Sequence, residues 1–404
     1  MEEALRHIEI VLLVACLVAV FARKMRVPYT VGLVLAGVAL ASFKFAPDLH
    51  LSKDLIFTLL LPPLIFEAAL HIPWKGLKPE LPVILVLATA GVVLAAIVTA
   101  STLVFLGGLG WPTAIIIAIV LSATDPVSVL ALLKEAALPK RIHRLIESES
   151  LFNDGMAAVL FSLAPMIIAG QTSAAQVAGF SAIAILGGIA IGACVGALSL
   201  LLSGRTDDHL VEITVTIIVA YGSFLIAEHL HVSGVLATLT AGMVLGNLGN
   251  RGAITATGRD LIVHFWEFAG FIANSFIFLL IGFDVFFWRE GSVAQLAFWT
   301  IIASLIGRAC AVYLGCLPFQ RGKQAIPQRV QHLLVWGGLR GALALALVLG
   351  LPDETHDRAL IVSTVFYAVA FSIIVQGLTV GGLIRRIAQD AARDGTNEDA
   401  ILKH

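Results

Sequence analysis

Long apolar stretches separated by short polar segments recur along the whole chain of 404 residues. Each stretch has about 17 to 30 residues, the length that an α-helix needs to cross a hydrocarbon core about 30 Å thick. The pattern predicts thirteen membrane-spanning helices, at residues 5–22, 27–43, 51–70, 79–106, 111–133, 148–169, 175–203, 210–229, 232–248, 260–288, 293–317, 329–350 and 359–384. The division between the eighth and ninth is the weakest, because only residues 229–231 separate them.

Composition places the chain in a membrane. Hydrophobic residues make up 59% of it, charged residues make up 13%, and the mean hydropathy is +0.96, values that a soluble domain of this size does not reach. The net charge of −1 and the lack of a basic run give no indication of a nucleic-acid partner. The four cysteines lie in apolar stretches without metal-ligand spacing, so we expect buried free thiols. We expect no cofactor.

Lysine and arginine are unevenly divided between the predicted loops. With the N-terminus outside, most of them fall in cytoplasmic loops and in the C-terminal tail, as the positive-inside rule requires. An odd number of crossings also puts the two termini on opposite sides. We therefore expect a multi-pass protein of the cell (inner) membrane with an external N-terminus and a cytoplasmic C-terminus.

Two otherwise apolar helices within residues 121–155 carry polar side chains: Thr124, Asp125, Glu147, Glu149, Ser150, Asn153 and Asp154. Polar groups at membrane depth are energetically costly and are functional by default. Pro126 has no N–H for the carbonyl four residues back, and it disfavours the helical conformation of Asp125. The sequence predicts a helix break here, with Asp125 as N-cap and Pro126 as the first residue of a new half-helix. A simple proline kink capped by Asp125 is the alternative.

The following helix offers oxygen ligands on adjoining faces. Ser150 and Asp154 are four residues apart and share a face, while Glu149 and Asn153 form a neighbouring stripe about 100° away. Hydroxyl, amide and carboxylate oxygens are hard ligands that can replace water around a small monovalent cation. The alternative is that these groups make interhelical hydrogen bonds only.

Two arginines lie inside predicted spans. Arg308 has no acidic residue near it in the sequence, and a buried arginine needs a counter-charge, for which Glu149 is the first candidate and Glu147 the second. Arg340 is surrounded by three glycines, which weaken the helix and predict a second break. Its guanidinium group would then neutralise carbonyl groups at the C-terminus of a half-helix. The two breaks would be counterparts in inverted repeats.

Several of these segments match known motifs. TDPV at residues 124–127 and ESLFNDG at residues 149–155 resemble the paired signature of the NhaP-type cation/proton antiporters, the family that includes the animal sodium/proton exchangers. RVPYTVGLVLAG, LPPLIFEAAL, IGRA and GGLRGALALAL, at residues 26–37, 61–70, 306–309 and 337–347, are similar to the family's other motifs and occur in its order. The resemblance covers nearly the whole chain.

The resemblance implies an all-α antiporter of about thirteen transmembrane helices, with inverted repeats and broken crossing helices divided between a scaffold and an ion-carrying bundle. It implies one transmembrane domain over residues 1–390, a short cytoplasmic tail over residues 391–404, and a homodimer working by an elevator-like movement. The ion-binding and proton-carrying residues would be Asp154, Asp125, Asn153, Ser150, Thr124 and Glu67. All of them except Asn153 would be ligands of Na⁺. For Glu67, a lone carboxylate after two prolines, a structural role is the alternative.

The implied reaction exchanges cytoplasmic Na⁺ or Li⁺ for external protons at Asp154, which is either protonated or bound to the cation. The protein would not be an enzyme. Relatives that move two protons per sodium carry two adjacent aspartates where this chain has Asn153 and Asp154. Because an amide does not titrate, we expect electroneutral exchange of one proton for one cation, with Glu67 and Glu147 as the groups that would add a second proton.

Three alternatives remain at this level. The same oxygen ligands serve K⁺, so a K⁺/H⁺ antiporter of the same fold fits the pattern. A passive cation channel would need a continuous polar pore face, whereas the polar residues here cluster at mid-span. A sensor or scaffold without transport would leave two broken helices with costly polar groups unexplained. The sequence assigns no role to His264, Glu267, Asn274 or Asp284.

Overall fold

The computed structural model describes residues 2–25, 27–42, 55–136, 138–170, 172–205, 208–249, 254–287, 293–322 and 324–393. Of the predicted tail, residues 394–404 lie outside these ranges. Eighteen α-helices are found in the described ranges: α1 (Glu2–Met25), α2 (Tyr29–Ser42), α3 (Leu61–His71), α4 (Trp74–Leu77), α5 (Leu81–Val86), α6 (Val92–Phe105), α7 (Trp111–Val120), α8 (Val127–Glu135), α9 (Lys140–Ala169), α10 (Ala174–Ser203), α11 (His209–His229), α12 (Gly234–Leu248), α13 (Ala256–Phe287), α14 (Val293–Gly315), α15 (Gln328–Trp336), α16 (Ala342–Leu349), α17 (Arg358–Phe371) and α18 (Gly377–Arg393).

Short segments of other helix types join some of these elements. π-Helical turns at Leu55–Leu60, Leu87–Gly91 and Ser372–Gln376 lead into α3, α6 and α18. A 3₁₀ turn at Leu317–Phe319 follows α14. The described residues contain no β-sheet, only one isolated backbone bridge between Asp125 and Leu339.

The helices follow the predicted apolar stretches. Within the described residues, seven helical spans are long and apolar enough to cross a membrane, and two of these spans, Leu81–Phe105 and Arg358–Gln389, each join two α-helices through a π turn. Four further apolar segments of 10–17 residues are shorter. Where a stretch holds two helices, as with α7 and α8 or α15 and α16, the pair occupies one predicted crossing. The all-α fold with about thirteen crossings is confirmed, and residues 230–233 separate the doubtful pair, α11 and α12.

One predicted loop is wrong. The predicted crossings at residues 111–133 and 148–169 leave residues 134–147 between them, but α9 begins at Lys140, so that only residues 136–139 lie between α8 and α9. The carbonyl of Pro139 accepts the N–H of Ile142 at 3.0 Å, which starts the helix ahead of the apolar run. The hydropathy pattern locates only the apolar part of a helix. The first two turns of α9 are polar, so the predicted start of the sixth crossing lies too late in the chain.

The chain forms two compact units. The first comprises residues 1–52, 79–153 and 275–404 and contains the broken pairs α7–α8 and α15–α16. The second comprises residues 53–78 and 154–274. The helix α9 is continuous and is divided between the two units: its residues up to Asn153 belong to the first unit, and its residues from Asp154 onward belong to the second.

The second unit is held together by close helix packing and an aromatic core. A Cβ at Gly192 of α10 would lie 2.1 Å from the carbonyl oxygen of Ala237, so a small residue is required where α10 meets α12. The rings of Phe66 and Trp266 are 4.6 Å apart, and the Trp266 indole N–H donates to the Thr216 hydroxyl at 2.9 Å. These contacts satisfy the indole donor inside an otherwise apolar core.

Candidate cation site at the crossing of two broken helices

The first unit contains two helices that are interrupted in mid-span. α7 ends at Val120 and α8 begins at Val127, so residues 121–126 are not helical. α15 ends at Trp336 and α16 begins at Ala342, so residues 337–341 are not helical either. Both interruptions extend over a full turn or more, which makes them breaks and not kinks. Non-helical backbone at membrane depth requires partners within the protein.

The two unwound segments are each other's partners. The N–H of Asp125 donates to the carbonyl of Leu339 at 2.7 Å, in an antiparallel bridge. A Cβ at residue 341 would lie 2.3 Å from the Cβ of Asp125, so glycine is required there for the segments to approach. The crossing therefore depends on backbone pairing and on the absence of a side chain at Gly341.

Asp125 also binds the start of the second half-helix. Its Oδ1 accepts the backbone N–H of Val127 at 3.1 Å, which satisfies one of the free donors at the N-terminus of α8. The helix starts one residue later than expected, at Val127 and not at Pro126. The reason is that the backbone of Asp125 is held by Leu339, so Pro126 completes the turn into the helix.

An arginine lies at the end of each first half-helix. The guanidinium group of Arg340 donates to the carbonyls of Ser122 and Ala123, just beyond α7, at 3.3 and 3.1 Å, and to that of Ser304 at 3.4 Å. Only 4% of Arg340 is exposed. A cation is favourable at a helix C-terminus, where carbonyl groups lack partners.

Arg308 holds the other half-helix and a carboxylate together. Its Nη1 and Nη2 donate to the two carboxylate oxygens of Glu149 at 2.6 and 3.0 Å, and its Nε and Nη2 donate to the carbonyl of Leu334 in α15 at 3.1 and 3.0 Å. Glu149 is fully buried. A Cβ at Gly338 would lie 2.7 Å from Arg308 Nε, so the glycine makes room for the guanidinium group. Of the two candidate partners, Glu149 is the one that forms this bidentate pair.

Three buried polar side chains meet beside the first break. The hydroxyl of Thr124 donates to the hydroxyl of Ser150 at 3.2 Å and accepts the side-chain N–H of Asn153 at 3.0 Å. No more than 2% of any of the three is exposed. Among the described residues, no hydrogen-bond partner is found for the Asn153 amide oxygen. Glu149 and Asn153 lie one turn apart on α9 and meet different partners, Arg308 and Thr124.

Two other predicted site residues belong to the second unit. Asp154 is the residue after Asn153 on α9 and is half-buried. Glu67 lies on α3, where its Oε1 is 3.7 Å from Nδ1 of His71. The same imidazole has its Nε2 3.8 Å from Glu267, whose other oxygen is 3.3 Å from His264. Glu67 thus shares a histidine neighbour with Glu267, one of the residues that the sequence left unassigned.

The structure also contains an ion pair that sequence reasoning missed. Arg141, at the start of α9, donates to both carboxylate oxygens of Glu80 at 2.7 and 2.9 Å, and Glu80 is only 6% exposed. The basic segment of Arg141 was interpreted as a topology signal alone. A single acidic residue at the start of an apolar span was the available indication.

The described first unit therefore offers a defined set of oxygen atoms. The hydroxyls of Thr124 and Ser150 are hydrogen-bonded to each other, and that of Thr124 also binds the amide nitrogen of Asn153, whose amide oxygen has no hydrogen-bond donor among the described residues. Such oxygens are hard ligands that suit a monovalent cation. Asp125 is already used by two backbone contacts, one through its N–H and one through its carboxylate.

The sequence matches a family model described as sodium/hydrogen exchanger, transmembrane, over residues 10–386. It is 39% identical over 384 residues to the Na⁺/H⁺ antiporter ApNhaP of Aphanothece halophytica, covering 94% of this chain and 73% of the relative. It is 39% identical over 363 residues to the low-affinity Na⁺/H⁺ antiporter NhaS1 of Synechocystis, covering 88% and 68%. The Na⁺/H⁺ antiporter NhaP of Pseudomonas aeruginosa is 34% identical over 350 residues, covering 83% and 81%.

The fold matches a solved structure. The sodium proton antiporter MjNhaP1 of Methanocaldococcus jannaschii at pH 8 superposes with a TM-score of 0.74, covering 95% of this chain and 98% of that one. The two sequences are 18% identical, so this likeness shows the shared fold alone.

Proposed function

The chain belongs to the sodium/hydrogen exchanger family, and we propose that it exchanges Na⁺ for H⁺ across the cell membrane with Asp154 as the carrying group. The three curated relatives named above are Na⁺/H⁺ antiporters. The protein is a multi-pass transporter and not an enzyme. The proposed orientation has the N-terminus outside and the C-terminus in the cytoplasm.

The observation that supports the proposal most strongly is the Asn153 amide oxygen. It is buried, and no hydrogen bond to it is found among the described residues. Nearly all buried polar atoms in native proteins have a partner, so an exception needs an explanation such as a bound ion or water. A cation beside the hydroxyls of Thr124 and Ser150 would supply that partner. We assign Na⁺ to these oxygens as the transported substrate.

Asp154 follows Asn153 directly and supplies the exchangeable charge in this proposal. A bound cation favours the ionised carboxylate, and a bound proton removes its charge, so the two ligands compete. The side-chain amide of the neighbouring Asn153 does not titrate and so cannot carry a proton. The carboxylate of Asp125 binds the start of α8, and as long as it stays ionised through the cycle it contributes a constant charge. One proton then leaves for each cation bound, and the cycle is electroneutral.

The two arginines have supporting roles. Arg340 compensates the carbonyl groups after α7, and the pair of Arg308 with Glu149 fixes α14 and α9 to the end of α15. Neither guanidinium group is assigned as a ligand, since a cation repels it. We further propose, from the family resemblance, a homodimer that works by an elevator-like movement. Glu67 is retained as a ligand or second titrating group.

Reconstitution tests the proposed exchange. Purified protein in liposomes with a trapped pH indicator is offered Na⁺, Li⁺ and K⁺ in turn under an imposed pH gradient. We expect proton movement with Na⁺ and Li⁺. Proton movement with K⁺ alone would identify a K⁺/H⁺ antiporter of the same fold. Cation uptake without proton movement would identify a passive channel, and no movement of either would contradict transport.

A further inference from the structure

The last membrane crossing contains a π-helical turn at Ser372–Gln376, between α17 and α18. In this turn the N–H of Gly377 donates to the carbonyl of Ser372, five residues back. Such a turn adds a residue and rotates the side chains that follow it, and single π turns occur frequently at functional sites. Its first and last residues are polar within an apolar run, and both are buried, with 1% and 3% exposed.

Both polar side chains bind the backbone of the second broken helix. The Ser372 hydroxyl accepts the N–H of Arg340 at 2.9 Å, and the Gln376 amide donates to the carbonyl of Trp336 at 3.1 Å. Trp336 is the last residue of α15, and Arg340 lies four residues beyond it in the unwound segment. These are backbone groups that an intact helix would satisfy internally. The π turn therefore holds the unwound segment at both ends.

The segment held in this way carries the contacts that set the first break. Leu339, between the two anchored residues, accepts the N–H of Asp125, and the Arg340 side chain binds the carbonyl groups after α7. The side chain of Thr124, next to Asp125, contacts Ser150 and Asn153. A chain of direct contacts thus connects the last helix to the oxygen atoms of the candidate site.

We propose that Ser372 and Gln376 are positioning residues for the cation site. They do not touch the ion. They fix the second unwound segment, and through its pairing with Asp125 they fix the position of Thr124 relative to Ser150 and Asn153. Since the spacing of the ligands decides which cation fits, the two residues set cation affinity and the preference between Na⁺ and Li⁺. This inference rests on the proposed exchange function.

A purely structural role makes a different prediction. Two buried hydrogen bonds that only stabilise the fold would change the amount of active protein, and hence the maximal rate, for every cation by the same factor. Positioning residues change the apparent KM, and they change it differently for Na⁺ and Li⁺. The ratio of the two KM values therefore separates the roles.

The test compares wild type, Ser372→Ala, Ser372→Thr and Gln376→Leu in proteoliposomes, with KM and maximal rate measured for Na⁺ and Li⁺. Ser372→Ala leaves the Arg340 N–H without its acceptor, and we expect a roughly tenfold rise in the Na⁺ KM, as for the loss of a buried hydrogen-bond partner. Gln376→Leu should act in the same direction. Ser372→Thr keeps the hydroxyl and should stay close to wild type. Ser372→Ala and Gln376→Leu should both alter the Li⁺/Na⁺ ratio of KM values.

Ser363→Ala is the matched control. Ser363 is a buried serine of α17, and among the described residues its hydroxyl donates only to the carbonyls of Ala359 and Leu360 on its own helix. Its removal should leave both KM values unchanged. If Ser372→Ala does not yield folded protein, Ser372→Cys replaces it, because a thiol is a weaker acceptor of similar size.

The outcomes are distinct. Unchanged KM values and an unchanged Li⁺/Na⁺ ratio in Ser372→Ala or Ser372→Cys and in Gln376→Leu, with only the maximal rate reduced, would overturn the positioning role. A wild-type protein that exchanges no cation for protons would instead refute the proposed function, before any variant is compared.

Discussion

The two broken helices share a backbone design but differ in their side chains. In each, an arginine binds backbone carbonyls near the end of the first half-helix. Arg340 binds carbonyls just after α7, and Arg308 binds the carbonyl of Leu334 in α15. The first break contains Thr124 and Asp125, whereas the second contains glycines that let Arg308 and Asp125 approach. Similar backbone breaks thus serve separate purposes. The first break, with α9, presents the proposed ligands, and the second break supplies the support that holds them.

This division predicts that substitution of a proposed ligand abolishes exchange without lowering the stability of the protein. In Asp154→Asn the shape and one oxygen are kept, but no proton can be exchanged. We expect exchange to fall to the background of empty liposomes while the melting temperature stays near that of wild type. Asp125→Asn keeps an oxygen that can accept the Val127 N–H, so its defect should be milder. Exchange by Asp154→Asn above background would contradict the assignment of Asp154.

Substitution of a supporting residue should instead lower the stability of the protein. Removing one partner of a buried ion pair leaves an uncompensated charge and costs roughly 3–5 kcal/mol. Arg308→Ala and Glu149→Gln are therefore expected to lower the melting temperature in detergent strongly.

Asp353→Ala is the matched control for this pair. Arg358 Nε lies 3.5 Å from Asp353, whose side chain is 90% exposed, and a surface pair contributes about 0–1 kcal/mol. Melting temperatures of Arg308→Ala and Glu149→Gln that equal that of wild type would show that the buried pair does not stabilise the fold.

Gly341 tests how closely the two breaks must approach. An added Cβ would meet the Cβ of Asp125 at 2.3 Å, so the backbone has to shift, at a cost of about 1–3 kcal/mol. Gly341→Ala should lose both stability and exchange rate. Gly382→Ala on α18 is the control, because nothing lies within 4 Å of its added Cβ. That variant should exchange normally, and normal exchange in Gly341→Ala as well would contradict the importance of the crossing.

The smallest expected effect is the response to voltage. If one proton replaces one cation, no net charge moves, and an imposed potential should leave the exchange rate unchanged. A net charge would add about 2.3 kcal/mol of driving force per 100 mV. The measurement uses proteoliposomes clamped with K⁺ and valinomycin at several potentials of either sign. A rate that depends on the potential would point to a second titrating group, and Glu67 would be examined before Glu147.

Local chemistry made much of the fold and part of the site predictable. The break at Pro126 follows from a missing N–H, and the partner of Arg308 follows from the cost of an unpaired buried charge. The exact start of α8 was missed because it depends on the pairing of Asp125 with Leu339, more than 200 residues away in the chain. The contact of Asn153 with Thr124 was not predictable for the same kind of reason, because the two residues lie on different segments that only the tertiary structure brings together.

The support from the last helix was not predictable in this way. Ser372 and Gln376 are four residues apart in an apolar run, a spacing that indicates a shared face but not a target. The π turn that presents them has no sequence signature, and their partners are backbone groups of a segment that is itself irregular. Backbone acceptors and donors exposed by a break are set by tertiary structure, and a sequence pattern does not show them.

The number of protons released on cation binding tests directly whether Na⁺ and H⁺ compete for Asp154. Detergent-solubilised protein is titrated with Na⁺ by calorimetry in buffers of different ionisation enthalpy, which gives the number of protons released per cation bound. We predict one proton per Na⁺ for the wild type, and none for Asp154→Asn. Release of two protons, or the same release from wild type and Asp154→Asn, would contradict exchange at a single carboxylate.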